Sequence, residues 1–386
     1  MNHRMRLWSF VFIAWLAPKT AQAQQAAPDK KPAVAADHAG DRGLLLGIYF
    51  PTSASWDNLP NAGPDEKWVP DISIEPHGKY LTFWISRTGD TVKVQATEGL
   101  LVPRANGFWH IGAQIVKSDR DPEYNFDEHF WALPAGEKPK PPEADPSVDG
   151  TSVRLITYAG PQYVSYLFHW QGGAGAWEYV YPHVASVDDL ATDLNIEKVL
   201  GPAASAGYKR LAKSLDHMND EVKEGEEREP CNCCSGSDNE WGILHVGDLW
   251  QMYARFHPGT SSSCSQGHED HVLKAVIPKS VAPGGILGKP WDVLRAEAEA
   301  LLKSEQRSVR HLFVSPKQDL AVAVGTTGLA VLGVENLHIH SVLKIHAFDK
   351  ACIPVMEQWS LGRFVAGWDA AIQKEQSAAV PGSENP

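Results

Sequence analysis

The chain has 386 residues, of which 43% are hydrophobic, and it carries a formal net charge of −12 at pH 7. A surface of this sign repels phosphate backbones and anionic lipid, which argues against nucleic acid as a partner. Fourteen Trp residues with 32 Gly and 27 Pro are typical of short strands joined by tight turns. We therefore expect an α+β, β-dominated fold, with antiparallel sheets and a few packed helices.

The first 23 residues have the three parts of a secretory signal peptide. Arg4 and Arg6 form its positive start, and Leu7–Ala17 is an apolar run too short to span a bilayer. Ala21–Ala23 supplies the small side chains that signal peptidase needs, so we expect cleavage before Gln24. Cleavage removes three basic residues and no acid, which takes the formal net charge from −12 to −15. No later apolar stretch approaches the roughly 20 residues of a membrane helix, so we expect a periplasmic or secreted protein without membrane insertion.

The next segment is predicted to be a leader that precedes the first strands. Residues 24–43 are rich in Ala, Gln, Pro and Lys without periodicity, which is typical of a flexible segment. Residues 44–133 are predicted to form a β-rich domain. Its predicted strands are Leu44–Phe50, Tyr80–Ser86, Thr91–Ala96 and Phe108–Val116.

The middle of the chain is divided by proline and by charge. Residues 134–150 contain five Pro among charged side chains and are predicted to be a surface linker. Residues 151–219 are predicted to form an α+β module, and residues 220–240 an acidic, Cys-containing connection. The module's predicted elements are strands at Val153–Tyr158, Tyr163–Trp170 and Trp177–Val184, then a helix from Gly201 to about Met218.

The last third of the chain, residues 241–374, is predicted to be a β-meander with two helices, followed by a flexible tail over 375–386. Trp241–Val246 and Leu249–Phe256 form a predicted hairpin. The remaining predicted strands are His311–Ser315, Leu320–Gly325, Leu329–Val334 and Val342–Ala347.

Two helices are predicted within this meander from the spacing of apolar side chains. The first covers Pro290–Lys303. The second covers Val355–Ile372, with Trp359, Phe364 and Trp368 expected to pack against the sheet.

Five cysteines lie in a chain that is predicted to reach an oxidising compartment, where thiols normally pair. Adjacent Cys233 and Cys234 cannot easily bond each other. We therefore expect Cys264 to form a disulfide with Cys231, Cys233 or Cys234. The odd count leaves at least one cysteine unpaired within the monomer, and Cys352 is the fifth.

The same cysteines also offer a metal-binding alternative. Thiolates and imidazoles are ligands of tetrahedral zinc, and the candidate ligands are Cys231, Cys233, Cys234, Cys264, His268 and His271. Their spacing matches no standard zinc finger. Disulfides are therefore the favoured interpretation, and we predict no cofactor.

The sequence contains no motif of a well-known catalytic class. A Gly-x-Ser-x-Gly elbow, a His-Glu-x-x-His helix, a phosphate-binding loop and a dinucleotide fingerprint are all missing, which favours a protein that is not an enzyme. The best acid/base candidates are Asp127, Glu128 and His129, because carboxylates near aromatic side chains can have raised pKa values. The alternative for these three residues is a solvated turn between strands.

One segment resembles a known envelope module. It contains Tyr163–Ser165, the aromatic-rich Tyr166–Trp170, the turn Gly172–Ala174 and the acidic Val187–Leu190. This order is similar to the module shared by lysozyme-sensing anti-sigma factors of the RsiV type and the N-terminal part of some peptidoglycan deacetylases. The resemblance covers roughly Thr157 to Leu215 and implies an extracytoplasmic α+β module with a binding role. Gly107–Trp109 and Pro316–Asp319 also look similar to segments of exported bacterial proteins of unknown function.

These observations lead to one favoured function and two alternatives. We expect an exported, non-catalytic binding module of the cell envelope, whose partner is cell-wall glycan or an envelope protein. The first alternative is a secreted hydrolase that uses Asp127, Glu128 and His129. The second is a metal-binding protein that uses the Cys/His group.

Overall fold

The computed structural model shows a protein built mainly from strands. The structure describes residues 40–51, 78–119, 125–145, 148, 150–172, 178–210, 240–246, 248–256, 269–273, 289–303, 307–348 and 352–378. Of the described residues, 58% lie in strands and 19% in helices, and the strands form four mostly antiparallel sheets, which confirms the predicted α+β, β-dominated class. None of the helices in these ranges is long and apolar enough to cross a membrane.

The described strands are numbered in chain order. They are β1 (Arg42–Phe50), β2 (Lys79–Thr88), β3 (Thr91–Glu98), β4 (Leu100–Arg104), β5 (Gly107–Lys117), β6 (Phe126–Pro134), β7 (Thr151–Ala159), β8 (Tyr163–Gln171), β9 (Glu178–Ser186), β10 (Asp189–Asp193), β11 (Trp241–Val246), β12 (Leu249–Phe256), β13 (Glu269–Leu273), β14 (His311–Val314), β15 (Leu320–Gly325), β16 (Gly328–Glu335), β17 (His338–Ala347) and β18 (Ile353–Leu361). The described helices are α1 (Ile196–Leu200), α2 (residues 202–210), α3 (Lys289–Lys303) and α4 (Arg363–Ala378).

The strands form four sheets. The central sheet has the order β18-β1-β2-β3, and the seven-stranded sheet has the order β10-β9-β8-β7-β6-β5-β4. The three-stranded sheet is β11-β12-β13, and the meander sheet is β14-β15-β16-β17. The seven-stranded sheet contains strands from before and after residues 134–150, the segment predicted to be a linker. The central sheet pairs β1 with β18, which comes from the other end of the described chain.

The central sheet is covered on both faces because its side chains alternate between two cores. Leu45 packs in one core with the seven-stranded sheet, whereas Leu44 and Leu46 pack in another with the meander sheet. β2 follows the same rule, with Trp84 on one side and Phe83 on the other. Each fully buried aliphatic side chain of this kind contributes about 1.5–3 kcal/mol to folding.

The meander sheet packs its other face against α3. Trp291, Leu294, Ala298 and Leu302 share one side of this helix, as expected from the apolar stripe. The observed helix begins one residue before the predicted Pro290. The four predicted strands of the meander are also present, with β17 beginning earlier than expected, at His338.

The three-stranded sheet packs with α1 and α2. Its first two strands form the predicted hairpin, with Trp241 opposite Ala254 and Val246 opposite Leu249. Trp241 and Tyr208 are buried in the same core. The helix predicted to run to about Met218 is observed over 202–210, and the rest of that prediction lies outside the described residues.

The predicted closing helix is wrong in its first half. Ile353–Leu361 forms strand β18, and the helix begins only at Arg363, after a turn in which Gly362 has a φ of 59°. β18 supplies hydrogen-bond partners to an edge of the fully buried β1, which outweighs the local helical spacing. Trp359 therefore lies in a strand, and Phe364 is 42% exposed instead of packing on the sheet.

Candidate functional site

The seven-stranded sheet curves where strands β6 and β7 stop pairing. The two strands pair in parallel only where Phe126 and Asp127 face Thr151 and Ser152. β6 then departs from β7 and approaches β10. As a result, the ring of Phe130 meets the edge of the Tyr166 ring, with 5.2 Å between centroids.

The three predicted acid/base residues lie consecutively on β6 and so point to alternating sides of the strand. Asp127 and His129 are on the same side, with His129 Nε2 2.8 Å from an Asp127 carboxylate oxygen. Glu128 points to the opposite side and is buried. The structure therefore brings Asp127 and His129 together and separates both from Glu128.

Arg154 of β7 is a second partner of Asp127, besides His129. Its Nη1 lies 2.6 Å from Asp127 Oδ1, and Ser152 Oγ donates a hydrogen bond to the same oxygen. The guanidinium also stacks on the Phe168 ring at 4.9 Å. Burial raises the pKa of Asp127, but His129, Arg154 and Ser152 outweigh burial and hold that pKa well below its usual range.

A second Asp–His pair, Asp193 and His183, lies near enough to Arg154 for the Arg154 charge to affect Asp193. Tyr166 donates its hydroxyl hydrogen bond to Asp193 at 3.0 Å, and His183 Nδ1 lies 2.9 Å from the other Asp193 oxygen. Burial raises the pKa of Asp193, but His183, Tyr166 and the Arg154 charge together lower it. Burial raises the pKa of Tyr166, and the nearby Arg154 guanidinium acts against that rise. We call these six residues the Arg154 array: Asp127, His129, Arg154, Tyr166, His183 and Asp193.

The Arg154 array reaches solvent. The His129 side chain is 50% exposed and that of Asp193 is 32% exposed, whereas the Arg154 side chain is 18% exposed. Phe168 and Tyr181 are opposite each other on β8 and β9, on the same face as Arg154, and both are half-buried. Paired charges therefore lie beside accessible aromatic surface.

Glu128 lies beneath the Arg154 array. One of its carboxylate oxygens accepts a hydrogen bond from the Arg154 backbone N–H at 2.7 Å. Burial raises the pKa of Glu128 to about 7, against the lowering effect of the Arg154 amide and guanidinium. Tyr49 and Tyr80 are close enough for Glu128 to raise their pKa values further, beyond the larger effect of burial.

The predicted cysteine site lies mostly outside the described residues. This applies to Cys231, Cys233, Cys234, Cys264 and His268, and for His271 only the backbone within β13 is described. The disulfide and the metal site therefore stay predictions. In the described ranges no three metal-binding side chains come together. Cys352 is a buried free thiol, and burial raises its pKa to about 12.

Sequence reasoning found Asp127 and His129 but not Arg154, Tyr166, His183 or Asp193. These four lie on four different strands, so no local spacing connects them. The available signal was a charged or polar side chain at an alternate position within an otherwise apolar strand, as at Arg154. No family model, no curated protein and no solved structure matches this chain, so its function is inferred from the geometry of the Arg154 array.

Proposed function

We propose that the protein is an exported, non-catalytic binding module of the cell envelope, and that its Arg154 array binds a neutral glycan. The observation that carries this proposal is the ion pair of Arg154 with Asp127, at a partly exposed surface beside the Phe168 ring and near enough to Asp193 for the Arg154 charge to lower its pKa. Ligand sites typically combine apolar side chains with a few convergent polar groups.

The hydrogen-bonding groups of the Arg154 array suit sugar hydroxyls. Each hydroxyl both donates and accepts, and the array offers carboxylate acceptors next to guanidinium donors. The exposed parts of Phe168 and Tyr181 offer apolar surface to the C–H side of a sugar ring. Because the charged side chains already hold one another in place, little conformational entropy is lost on binding.

Charge favours a neutral ligand over an acidic one. The array has two carboxylates for one guanidinium, and the whole chain carries a formal net charge of −12. An anionic ligand would therefore be repelled both locally and at long range.

The ionisation of the site favours binding over catalysis. Asp127 and Asp193 both have lowered pKa values, so neither carries a proton near neutral pH to give to a leaving group. Glu128 has the raised pKa of a general acid, which is the observation in favour of the hydrolase alternative. Its carboxylate lies on the other side of β6 from Asp127, so the two do not face one reacting bond.

A binding measurement with a matched control tests the proposal. Affinities are measured for chitotetraose, cellotetraose and maltotetraose with wild type, Arg154→Ala and Arg104→Ala. Arg104 also pairs with a carboxylate, that of Asp188, and stacks on an aromatic ring, that of Trp109, but it lies outside the array. We expect Arg154→Ala to weaken binding by about tenfold or more, or ~1.4 kcal/mol, and Arg104→Ala to change it by less than about twofold.

Three results of this experiment would contradict the proposal. An equal loss of affinity in both variants, or no binding by wild type, would show that the array is not a glycan site. Cleavage of an oligosaccharide by wild type, abolished by Glu128→Gln, would instead establish the hydrolase.

Export is checked separately, because protein recovered from its native compartment should begin at Gln24.

A further inference from the structure

Two consecutive residues of β6 bind Arg154, one at its guanidinium and the other at its backbone N–H. Asp127 binds its guanidinium at 2.6 Å, and Glu128 accepts its backbone N–H at 2.7 Å. The regular β6–β7 pairing has already stopped at Asp127 and Ser152. The Glu128 carboxylate thus takes the place of a backbone carbonyl at the point where the two strands separate.

The charged and titratable groups around Glu128 come from four strands. β1 contributes Tyr49, β2 contributes Tyr80, β6 contributes Asp127 and β7 contributes Arg154. The raised pKa values keep both tyrosines neutral, and the lowered pKa keeps Asp127 ionised. In this group, Glu128 is the residue whose charge changes around neutral pH.

We infer that Glu128 is a positioning residue whose charge state determines how well Arg154 is ordered, so that the Arg154 array binds its ligand more tightly when Glu128 is ionised. This inference rests on the proposed function. It assigns no catalytic role to Glu128, which acts on the ligand only through Arg154.

The direction of the effect follows from hydrogen-bond strength. An ionised carboxylate accepts a shorter and stronger bond from the Arg154 N–H than a protonated carboxyl group does. Because the pKa of Glu128 is about 7, the ionised fraction rises between pH 6 and pH 8. Over the same range we expect the Arg154 backbone, and with it the guanidinium, to become better ordered.

The first test needs no ligand. The chemical shift of the Arg154 backbone amide is followed by NMR from pH 5 to pH 9 in wild type, Glu128→Gln and His129→Asn. Gln can still accept the N–H hydrogen bond but cannot ionise. We expect a titration with a midpoint near 7 in wild type and in His129→Asn, and a flat response in Glu128→Gln. A flat wild-type response, or a titration that persists in Glu128→Gln, would overturn the inference.

The second test measures affinity at pH 6 and pH 8, with whichever of the three neutral tetrasaccharides binds wild type most tightly. Wild type should bind about fivefold more tightly at pH 8, whereas Glu128→Gln should bind equally at both values. A role limited to stabilising the fold would not produce this difference in pH profile. If Arg154→Ala abolishes binding but Glu128→Gln keeps the wild-type profile, the inference fails and the proposed function stands. If Arg154→Ala has no effect, the proposed function itself fails.

Discussion

A single buried carboxylate, Glu357 of β18, shows how this protein couples stability to pH. Its two oxygens accept hydrogen bonds from the indole N–H groups of Trp250 at 3.0 Å and Trp359 at 2.7 Å. Burial nevertheless dominates and raises the pKa of Glu357 to about 7. The interior therefore holds a group that must become charged, at a cost in folding free energy, as the pH rises to neutrality.

The sign of the effect on stability follows from proton linkage. The folded protein holds this proton more tightly than the unfolded chain, so the contribution is fully present below about pH 4.5 and is lost as the pH rises through 7. The full change is on the order of 3 kcal/mol. Buried His245 acts in the opposite direction, because burial lowers its pKa and stability is lost on acidification. A comparison with a variant is therefore needed to isolate Glu357.

We predict that Glu357→Gln removes this pH-dependent loss. Gln cannot ionise, so the variant should gain stability relative to wild type between pH 5 and pH 8, by about 2 kcal/mol or more. Urea unfolding at both pH values measures the free energies. Glu335→Gln, at an exposed end of β16, serves as the control and should follow wild type. Equal pH dependence in Glu357→Gln and wild type would show that the carboxylate is not a buried titrating group.

At the scale of elements, the contact between β1 and β2 depends on a missing side chain. A Cβ at Gly43 would overlap the indole ring of Trp84, which fills the space above β1. Trp84 in turn donates its indole N–H to Asp369 of α4 at 3.0 Å. Gly43 thus allows one aromatic side chain to join the central sheet to the last helix.

We predict opposite effects for two Gly→Ala substitutions. Gly43→Ala should lower the free energy of unfolding by about 1–3 kcal/mol, because the ring of Trp84 must move. Gly367→Ala in α4 should stabilise by about 0.5–1 kcal/mol, because nothing lies within 4 Å of its added Cβ and Ala favours helix. Chemical denaturation measures both values. A Gly43→Ala variant as stable as wild type would rule out the tight contact.

Most strands were predictable from sequence because alternation and turn residues are local signals. The hairpin of β11 and β12 and the meander from β14 to β17 follow directly from such patterns. β18 was not predicted, because its conformation is decided by pairing with distant β1. β6 was not predicted either, because its polar Asp127–His129 stretch also fits a solvated turn.

At the scale of the whole molecule, the arrangement of the sheets determines where the Arg154 array lies. The central sheet packs between the seven-stranded sheet and the meander sheet, so its side chains fill two cores. The seven-stranded sheet has an end that coils, and this brings side chains from β6, β7, β8, β9 and β10 together. The Arg154 charge affects Asp193 although two strands, β8 and β9, lie between their strands in the sheet order, a relation that no sequence spacing encodes. The fold class was therefore predictable from composition, whereas only Asp127 and His129 of the Arg154 array were predicted from sequence.

Chemical-shift mapping in solution tests the central claim most directly. Amide spectra of the protein are recorded while chitotetraose, cellotetraose or maltotetraose is added. We expect the largest shifts at Arg154, Phe168 and Asp193, with those of α3 and the meander sheet unchanged. Shifts centred elsewhere, or none at saturating oligosaccharide, would contradict a glycan site at the Arg154 array.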